Sequence, residues 1–253
     1  MAPPNRPPPR TFTVIGSRAV TPNLLRVTLG GPGMDGFPAG QQGGYLKLRV
    51  PSLEDPTKLI VRTYTISAQR YGELDVDFAL HGGAADAGPA THWALTAQPG
   101  SLVEAGGPGA AKVLAPGADH YLVAGDMTAL PAIAANLAAL PAAARGTVFL
   151  RVTSEDDRQD LPHPPGVTIN WLVHPHPGED GDLLADALRA LPWPHGVVHG
   201  WVAAEFSAMK ALRQYLRDER GLGPDRLYIS SYWKAGLTED GHREAKQADA
   251  MAA

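Results

Sequence analysis

Hydrophobic and polar positions change their rhythm once along this chain. Up to about residue 117 the period is two: Leu74, Val76, Phe78 and Leu80 interleave with Glu73, Asp75, Asp77 and Ala79. That pattern predicts a strand with one buried and one wet face. Comparable runs predict strands over 12–20, 24–29, 45–50, 59–67 and 101–104, separated by glycine and proline clusters such as Gly30-Gly-Pro-Gly33 and Gly106-Gly-Pro-Gly109. Some six short strands with such turns suggest a small antiparallel barrel. Beyond residue 117, short apolar runs at 120–124, 147–152, 167–173, 196–202 and 226–231 alternate with helical stretches at 127–140, 182–191 and 207–220. Strands alternating with helices imply a parallel sheet covered on both faces. The expected division is a tail at 1–10, a β-barrel at 11–117 and an α/β domain at 118–253.

The chain has 253 residues, 44% of them hydrophobic and 19% charged. That suits two domains of ordinary size. Net charge is -4 and no basic block occurs, so nothing suggests a nucleic-acid surface. There is no cysteine. This excludes disulfides, a thiol nucleophile and a cysteine-held iron–sulfur cluster, so electron transfer would need a bound organic cofactor. The proline-rich start lacks the apolar core of a signal peptide and reads as a disordered or polyproline-II tail, an SH3-type ligand being the alternative. No apolar run reaches the length of a membrane span. A cytoplasmic protein with no membrane insertion is expected.

Arg62-Thr-Tyr-Thr-Ile-Ser67 carries the most chemistry. Residues two apart in a strand share a face, so Arg62 and Tyr64 lie side by side and Thr65 turns away. A guanidinium that grips phosphate beside a flat ring that packs on another is what a bound flavin nucleotide requires. The alternative is an ordinary strand with a surface arginine. His81-Gly82 follows the alternating strand. Gly88-Pro-Ala-Thr-His-Trp93 then looks like a helix start, with Pro89 at the first helical position and a hydroxyl on Thr91. The N–H groups and positive dipole end of a first turn bind phosphate, so a pyrophosphate could bridge Arg62 and the backbone of Ala90-Thr91. The alternative is a linking helix whose Trp93 plugs the barrel.

Gly125-Asp126-Met-Thr128-Ala129 ends the first strand of the second half. Loops at the carboxyl ends of parallel strands are where such sheets bind nucleotides; an N-cap role for Asp126 or Thr128 is compatible. Glu205 ends a later strand in the same way, either as a nucleotide contact or as a helix-start acid. Tyr232 and Trp233 end the last strand and belong on the same rim. His174-Pro-His176 lacks a third ligand for a metal.

Taken in order, these blocks resemble the siderophore-interacting protein family, ferric-siderophore reductases of the ferredoxin-reductase type. The resemblance covers Arg62–Ser67, His81-Gly82, Gly88–Trp93, Ala124-Gly-Asp126 with Thr128–Ile133, Trp201–Glu205 and Tyr232-Trp233. It implies an FAD-binding barrel followed by an NAD(P)H-binding α/β domain. Arg62, Tyr64, Thr65 and Ile66 match the flavin block, and Thr65 is the candidate partner at the flavin's reactive edge. His81, Gly82, Gly88, Pro89, Ala90, Thr91 and Trp93 match FAD-contacting blocks. Asp126, Thr128, Ala129 and Glu205 match the nicotinamide side, and Trp233 the C-terminal aromatic near the flavin. Met127, Ala204 and Ser231 depart from the family's usual acid, glycine and glycine.

The implied reaction is reduction of a ferric siderophore by NADH or NADPH through FAD, with release of Fe(II) and no side chain acting as acid, base or nucleophile. Lys234, His242, Arg243 and Lys246 are candidates for a patch steering an anionic substrate, Arg243 and Lys246 sharing a helix face; a solvated tail is the alternative. Ser154-Glu-Asp-Asp-Arg158 offers both acids, which favour NADH, and an arginine, which favours NADPH; the reading leans to NADH. Rival readings are a flavin, quinone or partner-protein reductase of the same fold, and a non-catalytic ferric-siderophore carrier. The resemblance suggests a monomer.

Overall fold

A computed structural model describes residues 8–80, 87–179 and 181–252. The chain forms two compact units, Met1–Ala111 and Lys112–Ala253. In the first, strands β1 (Arg10–Thr21), β2 (Leu24–Gly30), β3 (Tyr45–Pro51), β4 (Leu59–Arg70), β5 (Glu73–Ala79) and β6 (Leu102–Gly109) close into a barrel in the order β1-β2-β5-β4-β3-β6. All pairings are antiparallel, and closure leaves no unpaired sheet edge. Inward-facing Phe12, Leu46, Leu48, Ile66, Val76 and Phe78 fill the core. Helix α1 (Pro89–Thr96) packs on β2, β3 and β5. Its inner face is Ala90 and Ala94, followed by Ala97, and such small side chains let the helix backbone come close to the barrel.

One expectation for β5 fails. The polar face of this strand is not wet: Asp75 is 3% and Asp77 7% exposed. Arginines from neighbouring positions cover both carboxylates. Arg26 donates to Asp77 through Nε and Nη2, each at 2.7 Å, and Arg70 donates to Asp75 at 2.6 and 2.9 Å. Burial alone would raise the Asp75 pKa, but the Arg70 and Thr28 hydrogen bonds bring it below its ordinary value.

In the second unit β7 (His120–Gly125), β8 (Arg145–Val152), β9 (Gly166–Val173), β10 (Val198–Glu205) and β11 (Leu227–Trp233) form a parallel sheet in the order β11-β10-β7-β8-β9. Every residue of β10 is buried, as expected for a central strand covered on both faces. Helices α2 (Leu130–Ala139), α3 (Leu183–Arg189) and α4 (Phe206–Arg213) connect the strands, α4 continuing as π-helical turns through Gln214–Glu219. The strand order reverses between β7 and β10, so the carboxyl ends of these strands flank the crevice where open α/β sheets bind ligands. Helix α2 starts at Leu130 rather than 127, because Asp126 draws the Thr128 N–H and hydroxyl into a turn. The first stretch of the second unit is held within it: the Lys112 carbonyl accepts from Trp201 Nε1 at 2.8 Å, and Leu114 N donates to Asn136 at 2.7 Å.

The chain ends in α5 (Glu239–Ala252), which polar contacts latch to β11 and α4. Arg213 Nη2 donates to Asp249 at 2.7 Å. Lys246 Nζ donates to Ser230 Oγ at 2.8 Å and to the Ser231 carbonyl at 3.0 Å. His242, 7% exposed, shares a 2.8 Å hydrogen bond between Nε2 and Ser231 Oγ. Its ring meets the Phe206 ring edge-on, and the charges around it are Lys246, Glu205 and Lys234. Burial, followed by the Lys246 charge, lowers the His242 pKa. A depressed folded pKa means that the unfolded chain takes up the proton first, so stability present above about pH 6.5 is lost as pH falls through the folded value. Hydrogen exchange of the α5 amides, corrected for intrinsic rates, is therefore expected to accelerate relative to β10 between about pH 7.5 and about pH 5.5. His242→Gln should flatten that difference, and pH-independent protection of α5 in the unmutated protein would contradict the account.

Candidate active site

On the barrel, Arg62 and Tyr64 share one face of β4, opposite Leu48 and Leu46 of β3. Both are half-buried. Arg62 Nη1 donates to the Val61 carbonyl at 2.8 Å. The Tyr64 ring rests on Phe78, centroids 4.3 Å apart, and Phe78 in turn meets Trp93 of α1 at 5.9 Å. This aromatic chain ties the Arg62 strand to the helix that begins at Gly88-Pro89. Among the described residues no side chain caps α1 and no acid lies in its first turn. Gly88 is exposed, and a Cβ there would meet nothing within 4 Å. The N–H groups of Ala90 and Thr91 thus sit at an uncapped helix start, with the half-buried Thr91 beside them. Thr65 is half-buried opposite Tyr45.

The Ile66 side chain is fully buried in the barrel core. Its N–H donates to Gly44 O at 2.8 Å and its carbonyl accepts from Gly43 N at 2.9 Å. His81 and Gly82 lie outside the described residues. Phe78 is the site residue that sequence reasoning missed: alternation marks it as core, but nothing marks it as the link between Tyr64 and Trp93.

In the second unit the crevice residues converge. Gly125 closes β7 where any Cβ would stand 2.6 Å from Ile133 Cδ1 and 2.7 Å from the Ala203 carbonyl, so only glycine fits. Asp126, 3% exposed, accepts from Thr128 N at 2.9 Å, Glu205 N at 2.8 Å and Trp233 Nε1 at 2.8 Å. Glu205, 5% exposed, caps α4 through Ser207 N and accepts from Ala235 N at 3.1 Å. Ala129 is buried beneath Gly125. Trp233 is half-buried on the rim. Burial, with Tyr228 beside it, raises the pKa of the neighbouring Tyr232.

The other predicted groups divide. Lys234 lies over the Phe206 ring at 4.4 Å, and Arg243 is exposed. His242 and Lys246 do not form an open patch with them: His242 is buried against Ser231, and the exposed Lys246 turns its ammonium end in to β11, where desolvation lowers its pKa. At the end of β8, Ser154 and Asp157 form a capping box, Asp157 fully buried, while Arg158 pairs with Glu155 at 2.7 Å. The His174 and His176 rings stand edge-on, 6.2 Å apart, and the described residues contain no cluster of three metal-ligating side chains. Nor do they contain a helix long and apolar enough to cross a membrane.

Known proteins match this arrangement over nearly its full length. The family model of the siderophore-interacting FAD-binding domain matches residues 49–112, and that of the siderophore-interacting protein matches 118–236. Ferric vibriobactin reductase ViuB of Vibrio cholerae is 36% identical over 94% of both chains. The crystal structure of the siderophore-interacting protein SipS from Aeromonas hydrophila superposes with a TM-score of 0.85 at 35% identity, covering 97% of this chain and 99% of that one. A siderophore utilization protein from T. fusca superposes with a TM-score of 0.81 at 34% identity, covering 91% and 94%. Both family models, the relatives and the superposed folds agree, and the chain belongs to the siderophore-interacting protein family.

Proposed function

We propose that this protein is a cytoplasmic, FAD-dependent reductase of ferric siderophores that draws its electrons from NADH or NADPH. One observation carries the flavin part: an uncapped helix start is tied through Trp93, Phe78 and Tyr64 to the strand bearing a half-buried Arg62. That donor set fits a dinucleotide diphosphate. Arg62 supplies a fixed cation, the Ala90 and Thr91 N–H groups and the helix dipole supply further positive potential, and Tyr64 offers a ring against a flat heterocycle. When bound, FAD converts a two-electron donor into single-electron steps, which no side chain here can do. The protein's part is to hold, orient and shield. Fe(III) is the substrate metal, and its reduction frees it, because Fe(II) is a poorer partner for hard oxygen ligands. The likeness to ferric vibriobactin reductase supports this choice of substrate class.

The end of β8 supports NADH over NADPH. Glu155 neutralises Arg158, and Asp157 is consumed in its capping box, so no ready cation awaits a 2′-phosphate. Lys234 and Arg243 remain as the groups proposed to steer an anionic chelate.

Anaerobic mixing of the FAD-loaded protein with NADH or NADPH, several ferric siderophores and an Fe(II) trap tests the reaction. Fe(II) should appear with a ferric siderophore and NADH; a protein that takes up no flavin, or reduces free flavin but no siderophore, would sink the proposal. Arg62→Ala should weaken FAD binding about ten- to a hundredfold, the worth of a charge-assisted hydrogen bond, with Arg62→Lys in between. Unchanged FAD affinity in Arg62→Ala would remove Arg62 from the site. Glu155→Gln should release Arg158 and raise kcat/KM for NADPH by up to about fivefold, the most that an exposed ion pair withholds, and equal use of both nucleotides by the unmutated protein would remove the NADH preference.

A further inference from the structure

The sequence pattern places Asp126 and Glu205 among the nucleotide contacts, but the structure occupies their carboxylates internally. Asp126 Oδ1 accepts from Thr128 N at 2.9 Å and from Thr128 Oγ1 at 2.5 Å. Its Oδ2 accepts from Glu205 N and Trp233 Nε1, both at 2.8 Å. An ionised carboxylate has about four lone-pair sites, and all four are engaged. Glu205 Oε2 takes Ser207 N at 2.5 Å and Ala208 N at 3.4 Å, and Oε1 takes Ala235 N at 3.1 Å.

These bonds converge on one short segment. Trp233 is held by its indole N–H to Asp126, and two residues on, the Ala235 N–H is held to Glu205. The ring packs against Gly178, where a Cβ would lie 3.3 Å from Trp233 Cη2 and 2.7 Å from the Ala235 Cβ. The ladder between β10 and β11 shifts register at this point, so that Glu205 pairs with Trp233. The pinned segment stands at the carboxyl ends of β7, β10 and β11, beside the switch point where a nucleotide enters such a sheet.

We infer that Asp126 and Glu205 are positioning residues: they do not bind the nicotinamide nucleotide but fix the Trp233 ring and the Trp233–Ala235 backbone at the crevice, and Asp126 acts on the reaction through Trp233. This rests on the function proposed above. A half-buried ring on that rim sets how a nicotinamide can lie, so its freedom to move matters to hydride transfer. Asp126 limits that freedom by a charge-assisted bond, stronger than a bond to a neutral acceptor.

Two measurements test it. The five tryptophans give five indole N–H correlations in a nitrogen-15 spectrum, and Trp233→Phe identifies one of them. In Asp126→Asn that signal should move upfield, since a neutral amide is a weaker acceptor; an unmoved Trp233 signal overturns the clamp, with or without flavin. The second is anaerobic reduction of the FAD-loaded protein by NADH in the unmutated protein, Asp126→Asn, Trp233→Phe and the double variant. Asp126→Asn should lower the limiting rate about tenfold with a smaller change in NADH affinity, and should add no further loss in the Trp233→Phe background, the signature of coupled residues. An equal loss in both backgrounds, carried by weaker NADH binding, would make Asp126 a ligand after all. No loss in either background would show that the placement of Trp233 does not matter. Should Asp126→Asn fail to fold, Trp233→Phe alone must reproduce the rate loss, and reduction at the unmutated rate overturns the inference. A protein that takes up no FAD would instead refute the flavin reading, leaving the indole signal to judge the clamp.

Discussion

A buried carboxylate must find hydrogen-bond donors, because leaving a charge unpaired away from water costs several kcal/mol. Asp126 meets that requirement with donors from β10, from β11 and from the turn that opens α2. The three strand ends at the switch point are consequently locked to one another by a single side chain. The lock depends on its neighbour: only a residue without a Cβ at position 125 lets β7 approach the Ala203 carbonyl and Ile133. The rim of the crevice is thus cross-linked by hydrogen bonds that take up the carboxylates of Asp126 and Glu205.

The barrel handles polar groups in two opposite ways. On β5 every buried charge is answered: Arg26 grips Asp77 and Arg70 grips Asp75 in geometries with two bonds each. At the start of α1 the opposite holds, since a glycine in the N-cap position brings no side-chain acceptor to the first-turn N–H groups. A helix start normally attracts Ser, Thr, Asp or Asn for that role. Engaged carboxylates at Asp126 and Glu205 and a start of α1 without a side-chain cap are what the proposed placement of a ligand's anionic part at α1 rests on.

The same accounting explains how much was legible in the sequence. All eleven strands could be read from periodicity, because alternation and apolar runs are local signals. The apolar run marks the last strand only to Ser231, two residues short, since its extension to Trp233 depends on pairing with Glu205, which no local window contains. The acids of β5 look solvent-facing in the sequence; the arginines that cover them come partly from β2, 49 and 51 positions away by number. Asp126 could be read as a turn residue but not as a bracket across three strands. Arg62 and Tyr64 were legible as a pair, whereas Phe78, which links Tyr64 to Trp93, was indistinguishable from any other inward-facing aromatic. The C-terminal basic residues could be listed by composition, but only packing shows that the buried His242 ring and the Lys246 ammonium group turn to β11.

Met127, Ala204 and Ser231, where the resemblance leads one to expect an acid and two glycines, fit the same physical scheme. Met127 is buried, and the Thr153 hydroxyl points to its sulfur at 3.5 Å; an ionised side chain there would face the desolvation that Asp126 already meets next door. Ala204 is fully buried within β10. At 231 the serine hydroxyl is the partner of the buried His242 ring, a bond that glycine could not supply. Serine at 231 and histidine at 242 therefore answer one another: without the first, the second would be a buried polar group short of a bond. The Ser231 hydroxyl thus takes part in docking α5 on the strand that bears Trp233.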